Sequence, residues 1–504
     1  MTPRVRIVPM PIRAVTADDR GPPGDGAARG ADSGTVTDGK LPAGDSAGVD
    51  PDLRPAGMVT SVVEPTPQDD TATPGGPLVG RGIWTAAGIG VLLRLAWVLA
   101  VSRTPTGLSD PFIYRSYGIA IASGSGYESI VGDPTAYYPP GYPFLLGSVY
   151  RLAEWFGVEG FPSWPVGVAQ SLWWGFAIVA VGSTARLLWG GRAGVLAAVV
   201  LAVWPNLIAY AGALLSESAF VAAAAGAVWG LTVLARRPAR PAPWNWVGVV
   251  AVSTVLASAL RPQFLLVVAV VLAVWALWRV PARTFLTTAL GILIVLVAFV
   301  VPWTLRNATA LGAFVPVSTN TGDNLCIGAY PDARGGFAIA EPCQGGTTWY
   351  DGVGAEVAQD RFARRAAMGF IADDPWRWVR LVPAKLYYTY VSDDDGLDAV
   401  EAYGADPLAA GWFRTTFTVV SNLGYAVVAL LAATGLVVAA RGSWRSRDAA
   451  RAGLVAAACT SLLVPVLFFG DPRFKVSAAP LLAVLAGGGA AALMARLQRA
   501  QAGD

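Results

Sequence analysis

Ten apolar runs punctuate the chain, at about 82–101, 166–188, 194–212, 214–235, 245–260, 263–279, 284–303, 415–440, 452–469 and 476–495. A run of about 20 apolar residues, rising 1.5 Å per residue, matches the ~30 Å hydrocarbon core of a bilayer. No other feature constrains the fold as strongly. Inside lipid every backbone N–H and C=O must be satisfied by the protein, so only helices or a closed barrel can cross. The runs are too long and too continuous for barrel strands. Composition agrees: hydrophobic residues are 54% of the 504 and charged ones 14%, against about 25% charged in a soluble domain. The expectation is an all-α polytopic membrane protein of about ten transmembrane helices. Pro205-Asn206 and Ser216-Glu217 separate the third run from the fourth, and Arg261-Pro262 the fifth from the sixth.

The arginines orient these helices. Arg186 and Arg192, then Arg236, Arg237 and Arg240, then Arg279 and Arg283, then Arg441, Arg445, Arg447 and Arg451, and finally Arg496 and Arg499 all fall in alternate connections or at the C-terminal end. Arginine-rich connections stay cytoplasmic. This implies a multi-pass protein of the plasma membrane with its N-terminus cytoplasmic. Four regions follow: a disordered cytoplasmic arm over 1–80, rich in Gly, Pro, Ala and Asp; helices one to seven over 81–303, with a long outer loop at 102–164; an extracytoplasmic domain over 304–412; and helices eight to ten with a short tail over 413–504. Low hydrophobicity is what leaves the arm without a core to order it. In the outer domain the segment FVPVSTNTGDNLCIGAYPDARGGF mixes β-branched residues with Gly, Asn and Asp turns. It predicts short strands, making that domain a small mixed α/β unit.

Several chemistries are excluded. The chain has no histidine, and so no His triad, His zinc site or imidazole shuttle. It has no G-x-x-x-x-G-K-[ST] loop for ATP. A net charge of +3 gives no basic field for nucleic acid. Any base or metal ligand must be a carboxylate. The run Asp393-Asp394-Asp395, with Asp398, reads first as a solvated loop, with a divalent-cation site as the alternative; no metal ligand is assigned. Cys326 and Cys343 lie in the outer domain, where an oxidising compartment favours a disulfide; two free thiols are the alternative. Cys459 lies within an apolar run and is expected to stay reduced.

The outer loop opens on Ser109-Asp110-Pro111, and Tyr114, Tyr117 and Ile121 then share one face of a helix. The turn Thr135-Ala136-Tyr137-Tyr138-Pro139-Pro140-Gly141 leads into the next apolar stretch. Further marks are PWTLRN at 302–307, VSTNTGDNLCIGAYPDARGGF at 317–337 and FGDPRFKVSAAP at 469–480. In this order and sidedness the chain resembles the GT-C superfamily of membrane glycosyltransferases, in its family 39-like, protein-mannosyltransferase-related branch. The resemblance implies a sugar donor carried on a polyprenyl phosphate and inverting transfer, on the outer face, to a glycan, lipid or protein acceptor. Where that family commonly has an Asp-Glu pair, this chain has Asp110-Pro111.

Such a reaction needs a base for the acceptor hydroxyl and cations for the departing phosphate. Asp110 is the candidate base, with a helix N-cap as its structural alternative. Tyr114 and Tyr138 are candidate substrate contacts, and Glu217 is a candidate partner for a sugar hydroxyl, with pairing to a nearby arginine as its structural alternative. Arg261, Arg306, Lys385, Arg473 and Lys475 are candidate phosphate contacts, against snorkelling at a membrane surface. A polytopic transporter or flippase is the rival reading, and it would place ionisable residues inside the spans, on broken helices.

Overall fold

The computed structural model describes residues 79–236, 243–346 and 351–502. The expected N-terminal arm, apart from its last two residues, lies outside them, as do Arg237, Arg240 and Trp349. Nineteen α-helices follow in chain order. The first group is α1 (Arg81–Val101), α2 (Asp110–Ala122), α3 (Gly141–Trp155), α4 (Trp164–Trp189), α5 (Gly191–Val203), α6 (Pro205–Ala209), α7 (Glu217–Arg236), α8 (Trp244–Leu260), α9 (Phe264–Leu277) and α10 (Ala282–Leu311). Then come α11 (Thr321–Ile327), α12 (Ala355–Asp373), α13 (Pro375–Arg380), α14 (Val382–Tyr390) and α15 (Asp395–Val400). The chain returns through α16 (Gly411–Ser446), α17 (Ala449–Leu463), α18 (Pro472–Lys475) and α19 (Ala479–Ala502).

Every expected apolar run is helical, but ten spans are not supported. Among the described residues seven helices are long and apolar enough to cross a membrane, or eight if the bent pair α5–α6 is one span. The runs at 245–260 and 263–279 became α8 and α9, of 17 and 14 residues. At 1.5 Å per residue these reach only about 25 and 21 Å. The chain is a multi-pass, all-helical membrane protein.

Two helix types are distinguishable by their surroundings. The apolar window of α7 is 89% buried within the protein, whereas those of α10 and α16 are 17% and 22% buried. A helix that is apolar all round and packed all round is central, and α7, with Ala222 to Ala225 and Gly226, is that helix. By the same logic α10 and α16 face lipid. One close crossing shows how the bundle tightens. A Cβ on Gly435 of α16 would lie 1.9 Å from the Leu485 carbonyl oxygen, and one on Gly489 of α19 2.1 Å from that of Leu431. Only glycine lets two backbones meet this closely.

Arg94 lies in the middle of α1 and is fully buried. Its guanidinium donates to the carbonyls of Gly90, Leu201 and Ala202 at 3.0, 3.0 and 2.9 Å and stacks on Trp174 at 4.7 Å. Pro205 has no N–H for the carbonyl of Leu201, and the 59° bend between α5 and α6 disrupts the ladder around it. Arg94 supplies the missing donors.

The expected mixed α/β domain is not what forms. Among the described residues there are no strands, only isolated bridges at Glu128–Pro134 and Gly336–Gly470. The segment expected to make strands contains α11, whose first-turn amide at Gly322 donates to the Asp360 carboxylate of α12 at 2.7 Å. Cys326 and Cys343 lie at bonding distance (S–S 2.07 Å), with Ala363 and Ala367 of α12 completing a small core. Cys459 is free and exposed.

Candidate active site at the helix ends

The sequence places α2, α7, the α8–α9 junction and α18 at one end of the bundle, and each delivers a charged side chain to the same point. Ser109 is extended and Pro111 occupies the first turn of α2, so the helix starts abruptly at Asp110. The side chain of Asp110 does not cap the helix. It accepts from the Tyr138 hydroxyl at 2.5 Å and from Arg473 Nη1 at 2.6 Å. Burial alone would push the Asp110 carboxyl up; the Arg473 guanidinium, the Tyr138 hydroxyl and Arg261 outweigh it and hold it below the ordinary carboxylate range.

Glu217 opens α7 and is buried. Its Oε1 accepts from Arg473 Nε at 2.9 Å and from Arg261 Nη2 at 2.8 Å. Its Oε2 is buried with no hydrogen-bond partner among the described residues. Arg261 reaches inward because α8 ends at Leu260 and the chain turns at Pro262; its Nη1 donates to Ser477 at 2.7 Å. Arg473 stands at the start of α18, whose N-cap Asp471 accepts from the Arg473 amide at 2.9 Å. Two carboxylates and two guanidiniums thus form one chain, Asp110–Arg473–Glu217–Arg261. Tyr114 packs against Tyr138 and Tyr142, ring centroids 4.6 and 5.0 Å apart, and backs the Asp110 end.

Tyr403 was not singled out by the sequence. Its ring lies 5.6 Å from the Arg473 guanidinium. Ala402 and Tyr403 both have left-handed backbone, φ +49° and +56°, a conformation that disfavours side chains. The segment is pinned by Glu401, which accepts from Leu408 N and Ala409 N at 2.8 and 2.6 Å, and by the Arg103–Asp406 pair at 2.9 Å. Ser477 was missed too. Gly404 gave a turn signal for the Tyr403 segment, but nothing local signals two left-handed residues before it.

Three of the candidate cations stand apart from this chain. Arg306 donates to the carbonyls of Thr135 and Tyr127, both at 2.6 Å, and packs on Trp303; it ties α10 to the outer loop instead of presenting free donors to a phosphate. Lys475 is buried against Asp393 and Asp395 at 3.2 and 3.0 Å, and is neutralised there. Those two carboxylates also accept from Trp204, Asn206 and Tyr210, so this part of the acidic run is buried and hydrogen-bonded, while Asp398 is exposed and pairs with Arg414 at 2.6 Å. Lys385 is fully buried over the Trp378 ring at 4.8 Å, donates to the Val466 carbonyl at 3.1 Å, and makes no ion pair among the described residues. No group of three or more Cys, Asp or Glu among the described residues is arranged to hold a metal.

The arrangement defines a multi-pass helical membrane protein with a charged, half-buried constellation where its helices end. By sequence no family model and no curated protein matches the chain. Among solved structures it is similar to the oligosaccharyltransferase AglB from Archaeoglobus fulgidus in complex with an inhibitory peptide and a dolichol-phosphate, at 15% identity and TM-score 0.48, covering 84% of this chain and 51% of that one. A form of the same enzyme with Zn and sulfate gives 16% and 0.47, covering 82% and 49%. ArnT from Cupriavidus metallidurans, in the apo state, gives 15% and 0.38, covering 80% and 77%. The chain spans about half the length of the oligosaccharyltransferase.

Proposed function

We propose that this protein is a GT-C membrane glycosyltransferase that moves a sugar from a polyprenyl-phosphate donor to a cell-envelope acceptor, with Asp110 as the base. The observation that carries the reading is the sharing of Arg473 between Asp110 and Glu217 at the ends of the helices. In the reaction the acceptor hydroxyl loses its proton to Asp110, the acceptor oxygen bonds to the anomeric carbon, and the bond from that carbon to the phosphate oxygen breaks with its electron pair on the phosphate. Arg473 and Arg261 take up the charge that develops there. A donor phosphate competes with Asp110 for Arg473, so donor binding frees the carboxylate and raises its basicity. Glu217 Oε2 is left to accept from a sugar hydroxyl. Beside Ser477 an apolar crevice of about 30 Å³ lies between Phe220, Phe264, Pro465 and Phe474. We take this end of the bundle, remote from the arginine-rich connections, to face outward from the plasma membrane.

Asp110→Asn tests the base. Asparagine keeps the size of the side chain and its bond from Tyr138 but not its basicity. The purified variant, given lipid-linked donor and acceptor, is expected to insert normally and to lose on the order of 10²–10⁴ in transfer rate. Transfer at the parental rate removes Asp110 from the chemistry.

One observation favours the transporter reading: Arg94 is buried within a span beside a broken helix. Its guanidinium nitrogens Nη1 and Nη2 already bond to backbone carbonyls, which is a structural use. Lipid-linked sugar crossing vesicles without any product of transfer would reverse the preference.

A further inference from the structure

At the end of the bundle opposite Asp110, a cavity of about 370 Å³ is lined by Arg236, Trp278, Arg279, Arg447 and Asp448. α7 runs from Glu217 at one end to Arg236 at the other, 20 residues or about 30 Å. The cavity therefore lies one bilayer thickness from the catalytic end, at headgroup level. Trp278 and Trp444, ring centroids 5.6 Å apart, mark the same level.

The charges around this cavity do not balance. Asp448 pairs with Arg236 at 2.7 Å and with Arg451 at 3.4 Å. The guanidiniums of Arg279 and Arg447 have no ion pair or hydrogen bond among the described residues. Three arginines and one aspartate line the cavity, which leaves it two positive charges. α10 also begins here, at Pro281, without a side-chain cap, so its first-turn amides point to the same space.

The backbone adds an independent sign. Arg279 and Arg447 each end a helix, α9 and α16, in the left-handed region, at φ +57° and +49°. Helix ends of this kind ordinarily use glycine, because a Cβ is strained there. Both uncompensated cations of one cavity thus occupy backbone that disfavours any side chain. Packing does not account for them, since both are exposed.

We infer that this cavity is a binding site for the phosphodiester headgroup of an anionic phospholipid, with Arg279 and Arg447 as its phosphate ligands. A bilayer presents that group at this depth and at high local concentration, and each arginine near the surface adds attraction for it. The site is independent of the transfer reaction.

The test uses the whole chain in detergent. Phosphatidylglycerol is expected to raise the melting temperature of the parent protein, and phosphatidylcholine to leave it unchanged. Arg279→Gly with Arg447→Gly relieves the backbone. That variant is expected to melt above the parent in phosphatidylcholine, yet to lose the phosphatidylglycerol shift and bind this lipid about 10- to 30-fold more weakly, by native mass spectrometry. Arg279→Lys with Arg447→Lys keeps the charge and should retain most of the shift. Absence of a shift in the parent, or an equal shift in the glycine variant, overturns the site. Equal stabilisation by inorganic phosphate overturns its assignment to lipid.

Discussion

Lys385 is the residue whose burial has the clearest pH signature. Loss of hydration pushes its amine down to about 8 from an ordinary 10.5. Below pH 8 both folded and unfolded chains are protonated, and the folded state carries the full penalty of a buried charge. Between 8 and 10.5 the unfolded chain holds the extra proton, so stability rises with pH; above 10.5 the penalty has gone. Lys385→Met is therefore expected to stabilise the protein at pH 7 by on the order of 2–3 kcal/mol. Melting curves at pH 7 and pH 10 check it, and a gain of equal size at both would show that the amine's charge is not the cause. Among single residues, the four charged members of the site were legible. Glu217, Arg261 and Arg473 are charges at the ends of apolar runs and Asp110 is one at a helix start in the outer loop, positions where snorkelling or capping and function look alike, and several at one face tip the balance. Lys475 and Arg306 carried the same signal but stand apart from those four. What separates them from Arg473 is Asp393 and Asp395 in one case and two backbone carbonyls in the other, all distant in sequence.

For whole elements, apolar length was enough to find every described helix long and apolar enough to cross a membrane, since a lipid environment leaves the backbone no alternative. The outer domain offered no such constraint. The β-branched, glycine-rich stretch around Cys326 reads as strand by local preference, but α11 is stabilised from outside itself, by Asp360 at its first turn and by the bridge to Cys343. Tertiary capping is invisible in a local window. The bridge closes 17 residues, and in the chain-entropy treatment a loop of this size contributes about 3 kcal/mol. Cys326→Ser with Cys343→Ser should lower the melting temperature by several degrees, as should reductant on the parent protein. Complete alkylation of both thiols before reduction would mean that no bridge forms in the purified protein.

The molecule as a whole has two unlike ends, one gathering Asp110, Glu217, Arg261 and Arg473, the other gathering the arginine-rich turns. Single cysteines introduced in a chain lacking Cys459 test which end faces the cytoplasm. A label at position 192 is expected to react only from the cytoplasm and one at 133 only from outside. Reaction of 192 from outside would invert the protein and move the proposed chemistry to the cytoplasmic leaflet.

Arg94 also bears on how such a chain is made. Its partner carbonyls in α5 lie 107 and 108 residues downstream. At about 5–20 residues per second, the ribosome needs roughly 5–20 s to produce them. For that interval α1 holds an arginine at mid-membrane with only Gly90 of its own helix to bond, a state about 2.5–3.5 kcal/mol unfavourable on insertion scales. α1 is thus poorly able to settle alone, and its place in the bilayer is secured only when α5 arrives.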